Sequence, residues 1–337
     1  MKKIFNLIAS FVLLAGFSAC NKDGSDKPGL PPAPVPTVNY KGLTFISSGK
    51  STVCLAKVGA PDEITLEYST DESQWNPYTI GEKISMADGS FLLFRAGEQK
   101  NLTFSKGSDS YYHFEISGPV TAQGNIMSLL DRDFSTPLST NAFFALFEGC
   151  TSLLSAPELP ATTMEQGCYF RMFAECTGLK SAPELPAKEL AYNCYGWMFK
   201  GCSALTYVPD LPATEMVSYC YNNMFANCTS LKFAPELPAT RLDMGCYHCM
   251  FEGCTSLTSA PELPATELVS NCYEFMYKDC RNLRYVIGLF TTEPSEKTTK
   301  DWLSGVAASG TFIKSKKATW DVTSAHGVPE GWKIETC

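Results

Sequence analysis

"CYFRMFAECTGLKSAPELPAKELAYN" fills residues 168–193, and at Cys194 nearly the same phrase begins again. Aligned on its second cysteine, the phrase returns at Cys150, Cys176, Cys202, Cys228, Cys254 and Cys280, every 26 residues. The first cysteine forms a parallel column of Cys168, Cys194, Cys220, Cys246 and Cys272, with Ala142 in the first copy. A leucine column follows (Leu153, Leu179, Leu205, Leu231, Leu257, Leu283), then prolines in register from Pro157 to Pro261. One such unit is too small to bury its own apolar residues, so the units must stack into a solenoid.

Within a unit, Tyr169, Met172, Phe173 and Cys176 stand at i, i+3, i+4 and i+7. That spacing predicts a short helix with one apolar stripe. "LKSA" and its equivalents predict a very short strand, stopped by the proline that follows. Met164, Leu190, Met216, Leu242 and Leu268 are further inward anchors.

The phrases "MFAECTGLKSAPELPA", "MFKGCSALTYVPDLPA", "MFANCTSLKFAPELPA" and "MFEGCTSLTSAPELPA" resemble the 26-residue surface-protein repeats of BspA-like leucine-rich-repeat proteins over roughly residues 142–290. The resemblance implies a right-handed leucine-rich-repeat solenoid with a strand-lined face. It also implies display on the bacterial surface and adhesion to host or matrix proteins, or to other bacteria.

Upstream of the array the period changes to two. "GLTFIS", "STVCLAKV", "EITLEYS", "SFLLFRAG", "NLTFS" and "YYHFEISG" are short β-branched and aromatic runs separated by turn residues. They predict an antiparallel β-sandwich over residues 39–120, acting as a cap or spacer or, alternatively, as a glycan-binding module. Residues 121–290 then form the solenoid of six repeats. After Cys280 the repeat decays, and 291–337 reads as a small C-terminal cap with Trp302, Phe312, Trp320 and Trp332 available to cover the last open face. The expected fold class is therefore α+β.

The N-terminus belongs to no domain. Lys2 and Lys3 precede the apolar run "IFNLIASFVLLAGF", too short to span a bilayer comfortably, and "FSAC" ends at Cys20. This resembles a bacterial lipobox with Cys20 as the lipid anchor, so residues 1–20 read as a lipoprotein signal peptide. "NKDGSDKPGLPPAPVPTV" (21–38) is a Pro-rich tether. The expected place is the outer membrane, exposed at the cell surface, with the lipid as the sole membrane attachment.

Composition narrows the chemistry. A net charge of −8 argues against an electrostatic hold on nucleic acid, and three histidines leave little material for His-based catalysis or zinc. Eleven cysteines in two periodic columns are unlike a single activated thiol and read as buried apolar rungs, with disulfides between neighbouring copies of one column as the alternative. "CYHC" at Cys246–Cys249 is the one local exception, but its second cysteine shares a column with Arg171, Trp197, Asn223 and Phe275, which predicts an exposed, variable position. No cofactor, metal site or catalytic motif is expected, and the chain reads as no enzyme.

Variable positions in a fixed frame are the candidates for binding. The column Ser155, Ser181, Tyr207, Phe233, Ser259, Tyr285 should point outward from the strand-lined face, flanked by Lys180, Lys232 and Arg284. Tyr207, Phe233, Tyr285, Lys180, Lys232 and Arg284, with Trp197 and Arg171, are the candidate binding residues. The expected partner is a protein or glycan at the cell surface.

Overall fold

The structure, a computed structural model, describes residues 41–99, 102–320 and 326–337. The expected signal peptide, with Cys20, and the expected tether lie outside the described residues. The N-terminal unit packs two antiparallel sheets face to face. The first contains β1 (Leu43–Ser47), β3 (Leu66–Ser69), β4 (Asn76–Tyr78), β6 (Phe91–Ala96) and β9 (Val120–Gln123), in the order β9-β1-β6-β3-β4. The second contains β2 (Ser51–Val58), β5 (Ile84–Met86), β7 (Ser105–Gly107) and β8 (Ser110–Ser117), in the order β5-β2-β8-β7. Alternating residues of β1, β6 and β8 meet between the sheets, where Phe45 lies 5.0 Å from Phe114 and 6.0 Å from Phe94.

The repeat array corrects the expected fold class. The described residues contain no α-helix, and their one helical segment is a 3-10 turn at Ile126–Leu129. The α+β reading, with a strand-plus-helix unit of the leucine-rich-repeat kind, is overturned: the described residues are built of strands and turns. Where a helix was expected, each repeat runs as a ribbon of consecutive turns. Phe170, Met172, Ala174 and Cys176 donate their amides to the carbonyls three residues earlier, on Gly167, Tyr169, Arg171 and Phe173. The intervening amides leave the repeat altogether. Tyr169, Arg171, Phe173 and Glu175 donate to the carbonyls of Cys194, Gly196, Met198 and Lys200 in the next copy. This alternation recurs from repeat to repeat, so half of the ribbon's donors form a ladder between copies.

Such a ribbon needs a left-handed residue every fourth position. Asn141, Gly167, Asn193, Tyr219, Gly245 and Asn271 all have φ between 56° and 59°. Eight residues further on, Gly149, Gly201, Asn227 and Gly253 also have positive φ. Glycine and asparagine suit this region because other side chains crowd the following carbonyl, at about 1–2 kcal/mol each. The four-residue turn period also explains the misread stripe, since residues at i, i+3, i+4 and i+7 share one face in either geometry.

Aromatic columns fill the interior. Phe147, Phe173, Phe199, Phe225, Phe251 and Tyr277 stack at 5.3–5.7 Å. Phe143, Tyr169, Tyr195, Tyr221, Tyr247 and Tyr273 form a second stack at 5.7–6.0 Å. Both ends are closed. At the first, Phe114 of β8 stacks on Phe147 at 5.2 Å, and β10 (Leu153–Ser155) pairs in parallel with β9, so the sandwich and the array share one core. At the other, β11 (Ser259–Leu263), β12 (Tyr285–Gly288), β13 (Thr311–Lys314) and β14 (Lys333–Thr336) form a parallel sheet. The ribbon also continues beyond Cys280, the last cysteine of the column: Tyr273, Phe275, Tyr277 and Asp279 donate to Thr298, Lys300, Trp302 and Ser304. Trp302, Phe312, Trp320 and Trp332 are buried over this final coil.

Candidate functional site

The cysteine columns are interior. Every array cysteine is free and buried. The second column has a specific bond: Cys176, Cys202, Cys228, Cys254 and Cys280 each place Sγ 3.0–3.1 Å from the carbonyl oxygen of a phenylalanine in the preceding copy, Phe147, Phe173, Phe199, Phe225 and Phe251. That same oxygen also accepts an amide from its own copy, as Phe173 does from Cys176. The thiol is thus a small apolar side chain whose S–H occupies the carbonyl's second lone pair. Burial pushes Cys254 up to about 12 and holds Cys176, Cys228 and Cys280 well above the usual thiol range. Protonated thiols of this kind are poor nucleophiles and poor metal ligands.

"CYHC" has no relay geometry either. Cys249 is buried rather than exposed, as is Cys246. Cys249 Sγ lies 3.7 Å from His248 Nε2, and Glu274 Oε2 lies 3.6 Å from the same nitrogen. A nucleophile–base–orienter chain needs both ring nitrogens, one for each partner. Burial and the neighbouring Glu252 push the Cys249 thiol up, while burial lowers His248. Among the described residues no three His, Cys, Asp or Glu side chains converge on a metal position.

The strand-lined face carries most of the candidate binding residues. Ser181 bridges to Tyr207, Phe233 to Ser259, and Ser259 to Tyr285, all in parallel. Tyr207 and Phe233 therefore sit on successive rungs, about 4.8 Å apart, with Tyr285 two rungs beyond Phe233. Phe233 is 37% exposed, while Tyr207 and Tyr285 are half-buried. Lys180, Lys232 and Arg284, one residue before each column position, are exposed, and none is ion-paired to another described residue. A row of exposed acids, Glu158, Glu184, Asp210, Glu236 and Glu262, runs parallel to them, four residues or about 13 Å further along the strand direction.

Arg171 and Trp197 belong elsewhere. They occupy the middle left-handed column of the turn ribbon, with φ of 58° each, apart from the strand face. Trp197 donates Nε1–H to Asn222 Oδ1 at 3.0 Å, and Lys200 Nζ sits 3.7 Å over its ring. Arg171 is paired with Glu148. Both side chains are half-buried and committed to neighbours within the array.

Sequence reasoning missed a second exposed apolar group at the start of the ribbon. Tyr192 is 48% and Met244 43% exposed, and Tyr219 lies between them, its ring 6.1 Å from Tyr192. The available signal was Tyr219 itself, the one residue in its left-handed column that is neither glycine nor asparagine. In the sandwich, a cleft of about 250 Å³ opens beside β5 and β6, lined by Thr70, Ile84, Ser85, Met86, Ser90 and Phe91 among others.

Comparison with protein families, with curated proteins and with solved structures finds no match.

Proposed function

We propose that this chain is a non-catalytic lipoprotein of the outer membrane, displayed at the cell surface, that binds a protein through its strand-lined face. The observation that carries the reading is the exposed Phe233 beside Tyr207, bordered by Lys180, Lys232 and Arg284, on a backbone locked by inter-repeat hydrogen bonds. Exposed aromatics with cationic neighbours on a rigid frame are the usual makings of a binding hot spot. Surface display is supported by the lipobox at Cys20, by the Pro-rich tether and by the resemblance of the repeat phrases to BspA-like surface repeats. The membrane contact is the lipid alone.

Replacing Phe233 and Tyr207 together by serine should weaken binding of the purified chain to intact bacterial cells and to immobilised matrix protein by roughly 30-fold or more, about 2 kcal/mol. Thermal stability should stay close to wild type, because neither side chain is part of the core. Unchanged binding would remove this face as the site. A second reading, glycan capture by the sandwich, is favoured by the cleft where Phe91 lies beside the hydroxyl-bearing Thr70, Ser85 and Ser90. In that case the serine variant binds normally, and cells stripped of surface glycans lose binding.

A further inference from the structure

The two cysteine columns are not bonded alike. In the second, each S–H from Cys176 to Cys280 is taken by a phenylalanine carbonyl. In the first, two thiols turn to sulfur instead. Cys168 Sγ lies 3.6 Å from Met164 Sδ, and Cys220 Sγ lies 3.8 Å from Met216 Sδ. A thioether is a weak acceptor, so it gives a buried S–H little in return. The column that supplies Met164 and Met216 carries Leu190, Leu242 and Leu268 in its other copies. Leucine fills the same place in the core, so packing alone does not call for methionine.

Thiolate and thioether together form a donor set that selects soft metals such as copper(I). Sulfurs 3.6 Å and 3.8 Å apart can share one ion, since a metal–sulfur bond is about 2.3 Å long. Charge then decides which soft ion fits. Cys168 and Cys220 are fully buried. A monovalent ion that takes the place of the thiol proton leaves the pair as neutral as before. A divalent ion leaves a net positive charge in an apolar interior, which burial penalises heavily. Met164 and Met216 keep 4% and 7% of their surface, so the methionine is the member of each pair nearer to water and the first sulfur that an entering ion meets.

We propose that Met164–Cys168 and Met216–Cys220 are two sites for a monovalent soft metal ion, copper(I) or silver(I), one ion to each pair. On binding, the S–H bond of Cys168 or Cys220 breaks, a sulfur–metal bond forms in its place, and the proton leaves to solvent. The methionine thioether adds a lone pair to the same ion, and no electron is transferred. Both sites lie in the core, so the inference stands independently of what the strand face binds.

Silver(I) added to the purified, reduced full chain tests this, with bound metal counted by elemental analysis after gel filtration. Met164→Leu and Met216→Leu should fold and melt close to wild type, because leucine already stands at this position in three copies. Each should bind one silver ion fewer than wild type, and the double variant two fewer. Silver held by other thiols, such as Cys337, persists in all four chains and cancels in the difference. Zinc offered in the same way should show no difference between wild type and the double variant. Equal silver binding by wild type and the double variant would overturn the inference, as would a zinc difference of two ions. A single variant that binds as much silver as wild type strikes its own pair.

Discussion

The folded chain should collapse cooperatively between about pH 9 and pH 10. The cause is the eleven column cysteines. Their ordinary thiol value is 9.0, and burial raises each of them in the folded state, to about 12 for Cys150, Cys194, Cys254 and Cys272. A folded value above the unfolded one means that the native state keeps a proton which the unfolded chain gives up. The stability tied to that proton is intact below pH 9 and is lost as pH rises. One unit above 9, each thiol forfeits about 1.4 kcal/mol, on the order of 15 kcal/mol for the two columns together. That is as large as the whole stability of a typical domain. Buried tyrosines such as Tyr195 and Tyr247, also held above their ordinary range by burial, add to the loss at higher pH. Tryptophan fluorescence along a pH titration under reducing conditions checks this. A chain still folded at pH 11 would mean that the thiols ionise in place and are not sealed in the core.

Replacing Phe199 by alanine should cost about 3–5 kcal/mol of stability. Phe199 is fully buried and stacks on Phe173 at 5.5 Å and Phe225 at 5.7 Å, with interplanar angles of 3° on both sides. Its carbonyl also accepts the Cys202 amide and the Cys228 thiol. A cavity there weakens the contacts to the copies before and after it. Because stability in a repeat array is carried by nearest-neighbour interfaces, the central break should also broaden the urea transition. A loss below about 1 kcal/mol would show that the column is not the element holding the copies together.

Much of this architecture was readable before any coordinates. The 26-residue period located the stack, and the alternating runs from Gly42 to Gly118 located the sandwich strands. The outward position of Phe233 followed from strand alternation next to the column alanine. The helix did not survive, for a definite reason. Tyr169, Met172, Phe173 and Cys176 share a face in a turn ribbon of period four as readily as in a helix of period 3.6, so burial spacing cannot separate the two. What could have separated them was Gly167, Asn193, Gly245 and Asn271 recurring in one column, with Gly149, Gly201, Asn227 and Gly253 in another. Residues suited to positive φ do not belong at fixed intervals inside a helix. The final coil was hidden because Trp302 and Val306 stand where earlier copies have their repeat letters, although Asp301 and Gly305 preserve the left-handed positions. Arg171 and Trp197 looked available because their column varies. That variation reflects side chains settling against Glu148, Asn222 and Lys200, and sequence spacing does not report such contacts.

Far-UV circular dichroism of the purified chain at neutral pH tests most directly the central claim, that the copies are joined by a ladder of turns rather than packed as helices. The account predicts a spectrum of strands and turns, without the paired minima of α-helix. Paired helical minima, with an amplitude matching one short helix in each of the six copies, would contradict it.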